Sequence, residues 1–470
     1  MLRLNLAVPV VEHSGLHSGK EPALRQRCFL NPRPAGLLLW LFLVGLVAWS
    51  PWQSLRPQSL SNDRGRARDM LKVLKDDIQK HYYDPTFHGM DLNAHFEAGD
   101  KQLQEANSLG HTFAIVAQVL TDFDDSHTFF DPPRRNYRVD YGWQMQMVGD
   151  RCYVVAVKPG SDAESKGLKA GDEVQSIDGF HPARGDLWKL KYLYYTLSPR
   201  QGMRLMVRGP DGSPHAPEVM AKVQQKKRVV DITTLTEDFW ELLRESESED
   251  RLVRSRHYEM GEPLMIWKMP EFNLENSEID GMMDRARKHS ALILDLRGNP
   301  GGYVETLERL VGHFFDHEVK IGDLKGRKEM KPSVAKKRGD RPFEGKLVVL
   351  VDAESASASE LFARVVQLEK RGTVIGDRTA GAVMTSRYYS HHAGSETVIY
   401  YGASITEADV IMADGGSLEK VGVTPDEILL PTAADLAEGR DLVLSRAAAL
   451  VGAEISPEKA HSLFPIEWRK

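Results

Sequence analysis

The run SALILDL, residues 290–296, leaves this chain little choice of fold. An unbroken apolar stretch has no polar face to turn to water, so as a strand it has to be covered on both sides. That is the condition of a parallel sheet flanked by helices. Two more such runs follow, KLVVLVD at 346–352 and TVIGD at 373–377. Between them lie segments with helical periodicity. YVETLERLVGHFF places Val304, Leu307, Val311 and Phe314 on one face, and ELFARVVQLEK does the same with Leu361, Val365 and Leu368. Strand, helix, strand, helix, strand reads as a parallel α/β core from about residue 228 to 446. The basic stretch KIGDLKGRKEMKPSVAKKRGDRPFEGK, within 319–346, is poor in large apolar residues and reads as a solvated flap, a substrate-contacting lid being the alternative.

The core leaves half the chain unassigned. At 470 residues two or three domains are expected. An apolar fraction of 41% with 27% charged residues is that of a globular chain. A net charge of −6 gives no reason to expect nucleic acid as a partner. Two cysteines, Cys28 and Cys152, match no metal-ligand spacing and make no disulfide framework. Residues 1–34 precede an uncharged apolar run, 35–52, close to the ~17–25 residues that span a bilayer and carrying Trp40, Trp49 and Trp52 at its boundaries. Arg25, Arg27 and Arg33 before it favour a cytoplasmic N-terminus and a single-pass signal anchor. A cleaved signal peptide or a buried helix are the alternatives, and VAWSPW makes a poor cleavage site. With an anchor or a signal, the remainder works outside the cytoplasm, in the periplasm of a Gram-negative cell. Residues 53–65 are polar and read as a linker; 66–135 form a helical subdomain ending in DDSHTFF; 447–470 are a C-terminal tail.

Residues 136–227 change character, with short β-type runs separated by PGSDAESKGLKAGD and a helix-like GDLWKLKYLYYTL. The order YVVAVKPGSDAESKGLKAGDEVQSIDGF resembles PDZ domains of the bacterial, circularly permuted kind. The resemblance implies a β-barrel-like unit that takes a peptide C-terminus as an added strand, its carboxylate held by the loop Tyr141, Gly142, Trp143 and Gln144. A PDZ fold kept as a lid or spacer is the other reading.

Chemistry gathers where three segments leave the strands: DLRGNPGG, DAESASASE and GDRTAGA. In open α/β sheets, sites lie outside the carboxyl ends of the strands. A serine entering a helix there gains a backbone N–H and the positive end of the helix dipole. The alternative for DLRGNPGG is a phosphate loop, but it carries no GxGxxG or Walker pattern. LILDLRGNPGG, VLVDAESASASELFA, VIGDRTAG and LEKVGVTPDEIL occur in this order, and together they resemble the tail-specific, C-terminal processing serine proteases and the related tricorn protease core. The resemblance implies a crotonase-like core of ββα layers. It also implies Ser357 as nucleophile, with Ser355 and Ser359 as local hydrogen-bonding neighbours. In the Ser/Lys branch a lysine follows Thr-x-Gly; here Thr379-Ala380-Gly381 is followed by Ala382, which cannot accept a proton. The tricorn-like branch instead uses a histidine preceded by a serine, with a glutamate behind. Ser126-His127 and Glu419 match that pattern, Glu407 and Asp409 being other carboxylates in the same region. A neutral imidazole, with an ordinary pKa of ~6.5, takes a hydroxyl proton near neutrality. The N–H groups of Ala358 and of Gly301 or Gly302 are expected to bind the oxyanion.

The reading at this point is a membrane-anchored, extracytoplasmic serine endopeptidase acting on proteins or peptides. It needs no metal or organic cofactor, has no nucleic-acid partner, and its oligomeric state is left open. The rivals are a catalytically silent PDZ-containing scaffold and a related hydrolase or hydrophobic-ligand binder on the same core.

Overall fold

The apolar runs become neighbours in one sheet. In the computed structural model, which describes residues 56–225, 252–339, 341–394 and 398–468, six strands lie in the order Arg256–Met260, Leu264–Lys268, Ala291–Asp295, Lys346–Val351, Thr373–Gly376, Glu427–Ile428. The first pair is antiparallel and every later pair parallel. Burial on both sides is realised by alternation. Leu292 and Leu294 face the helices Asn276–Ala286, Val304–Gly312 and Ala358–Leu368, while Ala291 and Ile293 face the helix Leu442–Leu450. Leu294 is fully buried, so truncating it to alanine would cost ~2–5 kcal/mol.

A second, antiparallel sheet crosses this core. It runs in the order Phe129–Asp131, Ile399–Met412, Val319–Gly326, Ser333–Ala335, with Met384–Ala393 also paired to Ile399–Met412. The basic segment is therefore not a solvated flap. Val319, Ile321, Ala335 and Phe343 are buried, and Gly322 and Gly326 bring its backbone against the long strand with no room for a side chain. Few apolar residues suffice because one face of an antiparallel strand can stay in water.

The N-terminal unit has three helices: Arg56–His81, Leu92–Glu105 and Leu109–Thr121. The first starts ahead of the expected residue 66, so most of the segment read as a linker is helical. Asp91 and Ser108 cap the second and third by accepting from Ala94 N and His111 N. The strand Phe129–Asp131 then registers Phe129 opposite Ser404, which pins this unit to the second sheet.

Residues 137–225 form a separate unit, entered and left through the paired strands Tyr137–Asp140 and Lys222–Gln225. Its antiparallel sheet runs Trp143–Val148, Arg151–Val157, Glu173–Ile177, Gly202–Arg208, Pro214–His215, leaving Trp143–Val148 as an edge strand. The helix-like segment is the helix Leu187–Tyr192, continued by a π-helical turn at Leu193–Leu197. Among the described residues no helix is long and apolar enough to cross a membrane. The expected anchor, 35–52, lies outside the described residues.

Candidate active site

Ser357 sits between the strand Lys346–Val351 and the helix Ala358–Leu368, at φ 55° and ψ −117°. A side chain bears this positive φ only where surrounding contacts impose it, at ~1–3 kcal/mol. The contacts are visible. Ser357 N–H donates to Ala382 O at 2.8 Å and to Glu360 Oε2 at 3.0 Å. Its two serine neighbours are buried and committed elsewhere: Ser355 Oγ donates to Leu296 O at 2.8 Å, and Ser359 Oγ to Asn299 O at 2.9 Å. Ser357 alone of the three donates its hydroxyl to no acceptor among the described residues, and its side chain faces the backbone of Glu360 as the start of a capping box.

Behind it stands a buried carboxylate that the sequence reading did not single out. Glu360 is 0% exposed and accepts from Ala382 N at 2.9 Å, Gly381 N at 2.8 Å and Thr379 Oγ1 at 2.5 Å besides Ser357 N. Burial pushes its pKa up to about 7, against the pull of those hydrogen bonds. The segment 379–382, which carries the lysine in the Ser/Lys pattern, is thus a backbone scaffold here. A signal was present: Ser-x-x-Glu before an apolar helix is the spacing of a capping box.

The histidine comes from the far end of the N-terminal unit. His127 Nδ1 lies 2.7 Å from Ser126 Oγ, and Ser126 Oγ donates to Glu419 Oε2 at 2.7 Å. Ser126 N–H donates to Glu419 Oε1 at 2.8 Å, and Val383 N–H to Oε2 at 2.9 Å. With its one proton given to the carboxylate, the Ser126 hydroxyl can only accept from the ring. Nδ1 therefore carries the imidazole proton, and Nε2 keeps its lone pair. The order of donors fixes the tautomer a general base needs. Val383 adjoins Ala382, whose carbonyl accepts from Ser357 N, so one hydrogen-bonded path joins His127 to the Ser357 backbone. No hydrogen bond joins the Ser357 hydroxyl to His127 among the described residues, a looseness common before substrate binds.

Burial pushes the His127 pKa down to about 4, with Asp125 opposing it. The ionisation expected from sequence near pH 6–7 is thereby moved to the acid side, because the charged ring loses its hydration. Glu419 is raised by its own burial, while its bonds to Ser126 and Val383 pull the other way. Of the competing carboxylates, Glu407 accepts from Tyr389 and Asp409 from Ser417, so neither meets Ser126. Two other histidines are engaged elsewhere: His391 with Asp77 at 2.6 Å, and His257 with Glu259 at 3.6 Å.

Gly301 and Gly302 lie beside the serine in different ways. Gly301 N–H already donates to Asn299 Oδ1 at 2.9 Å, so it is not free to bind an oxyanion. Its contribution is close approach: at φ +98°, a Cβ there would come within 2.7 Å of Ser357 Cβ. Among the described residues the N–H groups of Gly302 and Ala358 have no acceptor. Asn299, fully buried, shapes this loop by also donating to Met269 O at 2.8 Å. Arg297 holds the loop's start, joining Asp295 and Asp441 with contacts of 2.8–2.9 Å.

The unit at 137–225 docks against this site. Gln146, on its edge strand, donates to Asp352 Oδ2 at 2.6 Å; the other oxygen of Asp352 accepts from Gly298 N and Ser355 N. Arg184 and Gly149 N meet Asp377 at 2.5 and 2.8 Å. A cavity of about 760 Å³ opens between the two bodies, lined by Trp143, Gln144 and Lys191 on one side and Gly298, Asp352 and Glu354 on the other. In the expected carboxylate loop, Tyr141 is buried and Gly142 takes φ +73°, but Gly142 N–H is bonded to Asp140 Oδ1 at 2.9 Å. Among the described residues no group of histidine, cysteine, aspartate and glutamate is arranged to hold a metal.

With this geometry in place, comparison with known proteins is specific. Residues 265–429 match the family model of Peptidase family S41. The chain is 24% identical over 333 residues to the carboxyl-terminal-processing protease of Picosynechococcus sp., covering 67% of this chain and 72% of that one. It is 26% identical over 329 residues to the tail-specific protease of Haemophilus influenzae, covering 64% of this chain and 43% of that one. Among solved structures, mature CPAF complexed with lactacystin shares the fold at a TM-score of 0.59 and 14% identity, over 80% of this chain and 96% of that one.

Proposed function

We propose, from the premise that residues 265–429 are a peptidase S41 domain and the chain a serine-type peptidase, that it cleaves proteins or peptides internally with Ser357 as nucleophile and His127 as base. The observation that carries this reading is the chain of contacts from Glu419 through Ser126 to His127 Nδ1, each 2.7 Å long. Ser357 Oγ attacks the scissile carbonyl carbon as His127 Nε2 takes its proton. The oxyanion is met by the N–H groups of Ala358 and Gly302, the two that lack acceptors, at the N-terminus of a helix whose dipole favours negative charge. The imidazolium then protonates the leaving amine, and a water, deprotonated by the same nitrogen, releases the acyl group from Ser357. Ser126 and Glu419 act through His127 by holding its ring and tautomer.

The unit at 137–225 is read as a PDZ domain that takes substrate C-termini along its edge strand Trp143–Val148. The cavity shared with the loops before Ser357 supports delivery toward the nucleophile. Because Gly142 N–H is engaged by Asp140, carboxylate capture at that loop requires Asp140 to let go. Residues 35–52 are read as a signal anchor with the peptidase outside the cytoplasm. A catalytically silent scaffold has one observation in its favour, the missing hydrogen bond between Ser357 and His127. Peptide cleavage by the full chain separates the two readings. Wild type should cut and Ser357→Ala should lose activity by several orders of magnitude; equal rates in both would overturn the assignment.

A further inference from the structure

We propose that Asp125 is a second positioning carboxylate acting through His127. Its Oδ1 fixes the loop that presents the ring, and its Oδ2 supplies the negative charge that the imidazolium meets as it forms. This rests on the reading of His127 as general base.

Two carboxylates stand behind one histidine, and their surroundings differ. Glu419 accepts three donors, from Ser126 N, Ser126 Oγ and Val383 N, and reaches the ring only through the Ser126 hydroxyl. Asp125 is 8% exposed, and all its donors converge on one oxygen: His127 N at 2.9 Å, Thr128 N at 2.7 Å and Thr406 Oγ1 at 2.6 Å. The first two bonds wrap the backbone of His127 itself, an Asx-type turn that sets where the ring leaves the chain. The third ties that turn to the long strand Ile399–Met412. The other oxygen, Oδ2, is buried without any hydrogen-bond partner. A bare carboxylate oxygen away from water is costly unless a positive charge comes to meet it.

The groups around Asp125 do not supply that charge at rest. Tyr82 and Tyr83 face it; burial raises both phenols, and the carboxylate adds to the rise. The Tyr82 hydroxyl, which interacts with Asp125, meets hydrogen-bond geometry at His88 Nε2, 3.0 Å away, and not at Oδ2. Arg327 is occupied with Tyr82 O, and Lys420 pairs with the exposed neighbour Asp124. Among the described residues Asp125 joins no ion pair. The cation that can form beside it is the His127 imidazolium, and Asp125 is the group that opposes the acid shift of His127 caused by burial. Glu419 thus selects the tautomer, and Asp125 sustains the charge.

Asp125→Asn tests this in the full chain, since the amide oxygen retains the three bonds to Oδ1 while the charge is removed. Without that charge the imidazolium is less stable, so the ring is a weaker base. The base limb of kcat/KM should move to lower pH by about half a unit or more, and kcat should fall about tenfold with KM little changed. The His127 ring, followed by NMR in a Ser357→Ala background, should show the same displacement. Asp124→Asn, which removes an exposed and paired charge, should move the limb less. Thr406→Val provides an independent arm: it strips a donor from Asp125 and keeps its charge, so the limb should move to higher pH. A limb and ring titration unchanged in Asp125→Asn, or unchanged in Thr406→Val should the first variant not fold, would overturn the proposal. That failure differs from failure of the underlying reading, in which His127→Ala itself would keep its activity.

Discussion

Replacing Gly301 by alanine tests how closely the Gly-Gly loop must approach the serine. A Cβ at this position would lie 2.7 Å from Ser357 Cβ, 2.9 Å from Ala356 O and 3.0 Å from Ala358 N. Two of the three atoms are backbone, and the third belongs to the proposed nucleophile, so no flexible side chain can yield. The φ of +98° adds a cost of ~1–2 kcal/mol for any residue with a Cβ. Forcing a methyl into the packed contact adds ~1–3 kcal/mol. Gly298, three residues earlier, supplies the control: it has φ +72°, but nothing lies within 4 Å of its would-be Cβ. Gly298→Ala should therefore lose only the backbone cost, ~1–2 kcal/mol, and Gly301→Ala about 2–5 kcal/mol in urea unfolding. The difference in activity should be larger. The clash is relieved by moving the loop away from Ser357 and Ala358, and a displacement approaching 1 Å costs ~100-fold in rate. Steady-state cleavage of a fluorogenic peptide should show that loss in kcat for Gly301→Ala and a much smaller one for Gly298→Ala. If the two variants match in stability and turnover, the loop does not pack against the serine in the way described.

Glu419→Gln should lower kcat by at least about tenfold but less than His127→Ala, because it loosens the tautomer and leaves the base in place; equal losses would mean that Glu419 does more than orient. Arg184→Ala removes the guanidinium that joins Asp377, Gly149 O and Arg378 O, so the unit at 137–225 should loosen from the core by ~1–3 kcal/mol, read as faster proteolysis of its entry strands. Stability should also depend on His127. Its pKa falls from 6.5 to about 4 on folding, so the neutral ring stabilises the fold above pH 6.5. That contribution, on the order of 3 kcal/mol, is lost as pH drops from 6.5 toward 4, and His127→Gln should flatten this part of the denaturation profile.

The parallel sheet was legible because its strands are unbroken apolar runs that no other environment accepts. Ser357, Ser126, His127 and Glu419 could be named because their segments resemble a known family in the right order, and the missing lysine at Ala382 narrowed the choice of base. What escaped was set by contacts between distant segments. The stretch 319–346 looks soluble in composition, yet Val319, Ile321 and Ala335 are enough to bury one face of two strands. Glu360 and Asp125 look like ordinary helix-entry and loop acids until Gly381, Ala382 and Thr406 converge on them from other parts of the chain. The division between Gly301 and Gly302 depends on where the buried Asn299 side chain points, which no spacing encodes. Burial likewise turned an ordinary histidine pKa into an acid-shifted one.

The most direct measurement is the rate and site of labelling by a fluorophosphonate, followed by mass spectrometry of the peptide around residues 353–364. The account predicts a single adduct on Ser357, with none on the buried Ser355 or Ser359. In His127→Ala the labelling rate should fall by roughly three orders of magnitude or more while the protein still unfolds cooperatively. An adduct on another residue, or labelling of His127→Ala at the wild-type rate, would contradict it.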